Sequence, residues 1–201
     1  MGGFMTTFLR SLKKGLFLGI LILGLNGNLL AKALKGNPKV LLKTTMGDIT
    51  LELDSKKAPV TVKNFLSYVK KGTYEGTVFH RVIDNFMIQG GGLDKDLKPK
   101  ANMKPIKNEA DNGLLNESGT VAMARTSDPH SATNQFFINV SNNTFLNHKA
   151  KNQAGYGYAV FGKVVKGMSI VNRIKKVKTG NSGYHANVPV NPIIIKKATL
   201  L

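Results

Sequence analysis

One arginine stands out among the residues that could do chemistry. Arg81 lies in the run Phe79-His80-Arg81-Val82-Ile83, and the apolar run Phe86-Met87-Ile88-Gln89-Gly90-Gly91 follows closely. A guanidinium is permanently charged and presents a rigid fork of hydrogen-bond donors. Such a fork can stabilise a lone pair that develops only in a transition state. Strand alternation predicts His80 on the face opposite Arg81, so we interpret His80 as a buried residue with its hydrogen bonds satisfied.

The composition excludes several other chemistries. The chain has no cysteine, which rules out disulfides, a thiolate nucleophile and cysteine-type metal sites. Its four histidines are too widely spaced for a short zinc motif; they are His80, His130, His148 and His185. No nucleophile elbow accompanies them, so a Ser-His-Asp triad has no support. We expect no metal and no other cofactor.

Three further runs complete a specific set: Met123-Ala124-Arg125, Asn134-Gln135-Phe136-Phe137-Ile138 and Gly157-Tyr158-Ala159-Val160-Phe161-Gly162-Lys163-Val164. Together with the Arg81 and Gln89 runs, they resemble the cyclophilins, the peptidyl-prolyl cis/trans isomerases or rotamases. The resemblance spans nearly all of Lys39 to Leu200 and is greatest to the exported bacterial members. It implies an enzyme that rotates X-Pro bonds and assists the folding of exported proteins.

The resemblance also implies a site. Arg81 is its catalytic residue, and an apolar pocket takes the proline ring. The pocket residues are Phe86, Met87, Phe137 and Leu146, with Phe145 and Tyr158 beside them. The residues that contact the peptide are Gln89, Gln135 and the backbone of Ala124 and Arg125. Gln89 is also placed to orient Arg81.

Three of these positions depart from the common family pattern. Arg125 stands where asparagine is frequent, Phe145 where eukaryotic members often have tryptophan, and Tyr158 where many members place a histidine over the proline ring. Tyr158 keeps an aromatic edge and a polar tip.

The N-terminal segment predicts export. Arg10, Lys13 and Lys14 precede the apolar run Leu16–Leu25, and Ala31-Lys32-Ala33 offers a cleavage site of small residues. The run is too short to span a bilayer. We therefore expect residues 1–33 to be a cleaved signal peptide, residues 34–201 to be one isomerase domain, and the location to be the periplasm, with release into the medium as an alternative.

The charge balance bears on partners. The chain has 29 basic and 11 acidic residues, a net charge of +18. Removal of residues 1–33 takes away four bases and no acid, which leaves +14. An exported protein rarely meets nucleic acid but does meet anionic surfaces. We expect a monomer that binds proline-containing peptides and unfolded exported proteins, contacts anionic envelope surfaces weakly and binds no nucleic acid.

Period-two runs dominate the rest of the chain. They predict strands at 40–45, 49–53, 77–83, 86–89, 120–124, 136–140 and 159–165, with a last strand ending near Leu200. Helical spacing predicts helices from Pro59 to Gly72 and from Met168 to Lys176. This pattern indicates an antiparallel barrel or sandwich, and the resemblance implies an eight-stranded antiparallel closed β-barrel capped by two α-helices.

A non-catalytic function stays open at this point. A proline-peptide binding module, or a holdase chaperone in the cell envelope, could use the same groove. Such a module would tolerate loss of the arginine, whereas catalysis would not. The long polar segments 93–116 and 141–157 are predicted loops, and long loops are often functional.

Overall fold

The computed structural model describes residues 37–201. The predicted signal peptide, residues 1–33, lies outside the described residues. The prediction of its cleavage therefore stays a prediction.

Eight strands close into a barrel in which every neighbouring pair is antiparallel. Two more strands, β8 and β9, form a separate hairpin. In chain order the strands are β1 (Lys39–Thr44), β2 (Gly47–Leu53), β3 (Thr77–Ile83), β4 (Met87–Asp94), β5 (Thr120–Met123), β6 (Phe136–Asn139), β7 (Val160–Lys166), β8 (Thr179–Ser182), β9 (His185–Pro189) and β10 (Ile194–Leu200). Around the barrel they follow the order β1-β10-β3-β4-β6-β5-β7-β2. The predicted closed barrel is confirmed.

Two helices pack against the barrel. Helix α1 (Pro59–Lys70) begins with proline, which fits because the first N–H groups of a helix have no intrahelical partner. Helix α2 (Met168–Ile174) follows Gly167, whose φ of 86° favours glycine. α1 packs against β10 and α2 against β2. Within residues 37–201, none of the helices is long and apolar enough to cross a membrane.

Aromatic side chains fill the barrel. Phe65 of α1 packs against Phe136 and Phe161, with ring centroids 5.4 and 5.1 Å apart. Tyr74 and Phe79 also pack on Phe136, at 5.5 and 6.2 Å. All five rings are fully buried. An eight-stranded barrel has an interior just wide enough for such side chains, so a peptide must bind on the outside.

Several elements differ from the sequence prediction, and α1 ends at Lys70, two residues before the predicted Gly72. β4 continues beyond Gln89 to Asp94, which pairs with Thr77 of β3 beyond an irregularity in the register. The glycines at 90–92 give no apolar signal for this extension in the sequence. α2 ends at Ile174, two residues before the predicted end. The β8–β9 hairpin was not predicted at all, since its residues are mostly polar and exposed and show no period-two pattern.

Helix α1 receives its N-terminal cap from a distant residue. Ala58, at the N-cap, has no side chain that could accept a hydrogen bond. Instead the carboxylate of Glu109 accepts hydrogen bonds from the N–H of Val60 (3.1 Å), the N–H of Thr61 (2.8 Å) and the hydroxyl of Thr61 (2.7 Å). A negative charge at this end also complements the helix dipole. Through these hydrogen bonds Glu109 links the 93–116 loop to the start of α1.

We predict that Glu109→Ala lowers the free energy of unfolding by about 1–3 kcal/mol, because it leaves two amides and a hydroxyl at the helix start without their acceptor. Urea unfolding would measure the change. The control is Glu75→Ala, which removes the same charge from an exposed residue. Equal unfolding midpoints for the two variants would contradict the capping role.

His80 sits at a β-bulge and is buried. Phe79 pairs with Gly90 of β4, and Arg81 pairs with the adjacent residue Gln89. His80 therefore has no partner on β4 and is the extra residue of the bulge. Its side chain is 6% exposed, and its Nδ1 has no hydrogen-bond partner among the described residues. Burial, helped by the nearby His185, lowers the pKa of His80 to about 4. The predicted satisfied hydrogen bonding is therefore wrong for Nδ1.

This burial predicts an acid-sensitive stability. Between pH 6.5 and 4 the unfolded chain binds a proton at this histidine and the folded chain does not, so the free energy of unfolding falls as the pH falls. We expect His80 to account for about 2 kcal/mol of loss between pH 7 and 5. His80→Gln should flatten this slope, as measured by urea unfolding at both pH values. A variant slope as steep as the wild-type slope would refute the assignment.

Candidate active site

A cleft of about 510 Å³ lies on the outer side of the barrel wall. Its walls come from β3, β4, β6, the loops after β5 and β6, Tyr158 shortly before β7, and the β8–β9 hairpin. The lining residues are His80, Arg81, Phe86, Met87, Gln89, Leu93, Ala124, Arg125, Gln135, Phe137, Leu146, Tyr158, Tyr184, His185, Ala186 and Asn187. Ten of the eleven residues predicted from the sequence thus lie together. The eleventh, Phe145, is not among the lining residues.

Strand alternation builds the apolar floor of the cleft. On β4, Ile88 points into the barrel core and Met87 points out. On β6, Phe136 and Ile138 point in and Phe137 points out. The outward residues form an apolar cluster of their own with Ala122, Leu146 and Val160, separate from the barrel core. Met87, Phe137 and Leu146 are each more than nine-tenths buried, which gives the dry surface that a proline ring needs.

Two pairs of aromatic rings lie at the margin of this apolar floor. Tyr158 stands edge-on to Phe137, with ring centroids 5.7 Å apart. Phe86 stacks on Phe145 at 5.6 Å. Phe145 is 63% exposed, so it supports Phe86 from outside the cleft. The predicted contact of Phe145 with the substrate stays a prediction.

Arg81 lies at the boundary between the apolar floor and the polar side of the cleft. Its side chain is partly exposed, and its Cζ lies 5.9 Å from the centre of the Phe86 ring. Within residues 37–201 no carboxylate pairs with it. The bulge at His80 breaks strict alternation, so His80 and Arg81 line the same cleft. The prediction that they lie on opposite faces is wrong.

Two glutamines form a bridge across the cleft wall. Gln89 is the strand partner of Arg81, and its Nε2 donates a hydrogen bond of 2.9 Å to Oε1 of Gln135. Gln135 approaches the backbone of Gly92 so closely that a Cβ at that position would collide with its side chain. The bridge therefore depends on the glycine. Within the described chain no side-chain hydrogen bond joins Gln89 to Arg81, so the predicted orienting role stays a prediction.

The side chain of Arg125 is held by the loop around it. Its Nε donates to the carbonyl of Gly157 (3.0 Å) and its Nη1 to the carbonyl of Thr126 (2.8 Å). Its Cζ lies 4.6 Å above the Tyr158 ring. The amide of Ala124 donates to the carbonyl of Gln135 at 3.0 Å. The predicted pairing of a peptide with the 124–125 backbone remains untested.

Buried asparagines fix the loops that carry the cleft. Nδ2 of Asn143 donates to the carbonyl of Phe86 (2.8 Å) and to Oδ1 of Asn139 (2.7 Å). Nδ2 of Asn139 in turn donates to Oδ1 of Asn116 (3.1 Å). Nδ2 of Asn116 contacts the carbonyls of Leu146 and Tyr158, each at 3.3 Å. This chain of amides, which we call the asparagine network (Asn116, Asn139 and Asn143), connects three segments of the cleft.

Sequence reasoning did not place several lining residues in the site. They are His80, Leu93, Tyr184, His185, Ala186 and Asn187. For His80 the sequence holds no signal, because the bulge depends on its pairing with β4. For the hairpin, the Ser182-Gly183 pair was an available turn signal.

The arrangement can bind and orient a peptide but offers little for bond cleavage. The cleft has no carboxylate, cysteine or serine among its lining residues. In the described part of the chain, no three His, Asp or Glu residues come together in a way that could hold a metal ion. What remains is an apolar floor beside the guanidinium of Arg81.

Comparison with known proteins agrees with this geometry. Residues 39–200 match the family model described as cyclophilin type peptidyl-prolyl cis-trans isomerase/CLD. Peptidyl-prolyl cis-trans isomerase cyp18 of Streptomyces antibioticus is 59% identical over 162 residues, covering 81% of this chain and 98% of that protein. Peptidyl-prolyl cis-trans isomerase B of Escherichia coli is 55% identical over 161 residues, covering 80% of this chain and 98% of that protein.

A solved structure shares the fold. The cyclophilin-type isomerase of Cryptosporidium parvum, crystallised in the presence of the dipeptide Ala-Pro, superposes with a TM-score of 0.67 at 27% identity. The match covers 81% of this chain and 98% of that chain. With the barrel, the external cleft and the sequence relatives in agreement, the chain belongs to the cyclophilin family and is a peptidyl-prolyl cis/trans isomerase.

Proposed function

We propose that Arg81 supplies the catalytic interaction by donating a hydrogen bond to the proline nitrogen as the X-Pro bond twists. Rotation about an amide has a barrier of about 18–20 kcal/mol because it breaks resonance. In the twisted state the nitrogen becomes pyramidal and gains a lone pair. A donor aimed at that lone pair stabilises the transition state and neither planar isomer, which is the condition for faster turnover.

The surroundings of Arg81 support this role. The guanidinium has no ion pair within residues 37–201, so a carboxylate does not compete for its donors. The Phe86 ring at 5.9 Å limits its position without occupying its N–H groups. The apolar floor of Met87, Phe137 and Leu146 lies within the same cleft and suits the proline ring. A charge acts more strongly beside such a low-dielectric surface than in bulk water.

The biological role proposed here is assistance to the folding of exported proteins. Uncatalysed X-Pro isomerisation takes tens of seconds or more and can limit folding. The leader-like pattern of residues 1–33 supports export and a periplasmic location, and the proposed substrates are unfolded exported proteins. The enzyme acts as a monomer. Its excess of basic residues supports a weak additional contact with anionic envelope surfaces.

We predict that Arg81→Ala lowers kcat/KM for an X-Pro peptide by about 10²–10³-fold, since a transition-state donor is lost. Arg81→Lys should fall between this variant and the wild type, because lysine keeps the charge but lacks the planar fork. A protease-coupled or NMR exchange assay would measure the turnover. A proline-limited refolding reaction should show the same order of rates.

The matched control is Arg173→Ala, which removes an arginine that lies on α2 and donates to the carbonyl of Met46 at 2.7 Å. It should keep near wild-type turnover. Full activity in a folded Arg81→Ala protein would overturn the mechanism. If both Arg81 variants accelerate refolding as well as the wild type does, without isomerase turnover, the protein acts as a holdase instead.

We also predict that cells release a mature chain that begins at residue 34. Export signals of this type are cut after a small-x-small site, here Ala31-Lys32-Ala33. N-terminal sequencing of the protein from a periplasmic extract would identify the first residue. Replacing Ala33 with a bulky residue such as Arg should retain a longer, membrane-associated form. Recovery of the protein from the cytosol with Met1 at its N-terminus would contradict export.

A further inference from the structure

The β8–β9 hairpin forms a wall of the cleft. It lies outside the barrel and packs against β3, the strand that carries Arg81. Four consecutive residues of the hairpin line the cleft, and we call them the hairpin wall: Tyr184, His185, Ala186 and Asn187. The pocket for the proline ring is built on β4, β6 and the turn at Leu146. The hairpin wall is therefore a part of the cleft that the chemistry at the X-Pro bond does not use.

The backbone shape of the hairpin presents polar groups. Gly183 and Asn187 have φ values of 56° and 59°, a conformation that glycine and asparagine tolerate best. Tyr184 is fully exposed, and His185 is exposed beside it. Pro189, at the end of β9, is buried. The hairpin is thus anchored at one end and offers a hydroxyl, an imidazole and an amide at the other.

The charges of the lining residues indicate the kind of ligand. The lining contains two arginines, Arg81 and Arg125, and no Asp or Glu. Neither arginine has a carboxylate partner within residues 37–201. The hairpin wall adds the hydroxyl of Tyr184 and the amide of Asn187 as hydrogen-bond donors to this positive field. A carboxylate side chain of the peptide would be attracted by the arginines and would accept hydrogen bonds from the hairpin wall.

We propose that the hairpin wall forms a second subsite, which binds an Asp or Glu side chain of the peptide substrate on a residue flanking the X-Pro bond. The inference rests on the cleft being the peptide site of the isomerase. It makes the hairpin a determinant of substrate choice rather than of the isomerisation step. Substrates with a carboxylate at the matching position are preferred over their neutral counterparts.

The test uses pairs of X-Pro peptides that differ only in Glu or Gln, with the substitution moved through three positions on each side of the proline. For the wild type we expect kcat/KM to favour Glu about two- to fivefold at one position at low ionic strength, the range of a partly exposed charge interaction. High salt should reduce this preference. A Glu/Gln ratio of one at every position would overturn the proposal.

Two asparagines of the same hairpin offer a matched pair of variants. Asn187→Asp places a carboxylate in the hairpin wall at a position where Asp also tolerates the backbone conformation. Asn181→Asp makes the same change on exposed β8, at a residue that does not line the cleft. We expect Asn187→Asp to abolish or invert the Glu preference and Asn181→Asp to keep most of it.

Further outcomes separate the possible failures. Equal loss of preference in both variants would show only a long-range charge effect and would overturn the subsite. His185→Ala provides a second check in case Asn187→Asp disturbs the fold, and it should also reduce the Glu/Gln ratio. Loss of turnover on every peptide by the wild type would instead refute the isomerase function itself, which the neutral peptides test independently.

Discussion

The asparagine network is the constraint on which the cleft depends. The barrel interior is filled by aromatic rings, so the site has to be built outside it, from the outer faces of strands and the loops that join them. Loops have no ladder of backbone hydrogen bonds, and their buried carbonyls need partners from side chains. Asn116, Asn139 and Asn143 are all nearly fully buried and supply those partners to Phe86, Leu146 and Tyr158. An amide can donate and accept at once, which lets three of them join in a chain.

This rigidity suits a reaction in which no covalent bond is made or broken. Isomerisation needs a preorganised hydrogen-bond donor near the nitrogen of the twisted proline and a dry surface that holds the proline ring. If either moved to follow the substrate, it would stabilise the planar forms as well, and the rate would gain little. The Phe86 ring lies next to Arg81, and the carbonyl of Phe86 accepts a hydrogen bond from Asn143. The position of the proposed donor is thus linked to the asparagine network.

The sequence predicted the regular parts of this structure well and the irregular parts poorly. Alternating apolar residues predicted β3 at 77–83 with the bounds that the structure has, and proline with helical spacing predicted the start of α1 at Pro59. The outward position of Phe137 also follows from alternation. The bulge at His80 could not be predicted, because it arises from the mismatch between two strands. The β8–β9 hairpin was missed because its position depends on packing against β3 and not on a pattern within its own residues.

The proline pocket and the hairpin wall belong to different parts of the structure. Residues that line the proline pocket belong to an apolar cluster shared with β5 and β7, so a change there also disturbs the barrel wall. The hairpin wall touches the cleft from a two-stranded sheet that shares no strand with the barrel. Its exposed side chains can change with little cost to folding, since surface substitutions usually alter stability by only about 0.5 kcal/mol. Selection of the flanking residue can therefore vary at the hairpin while the donor and the proline pocket stay fixed by the core.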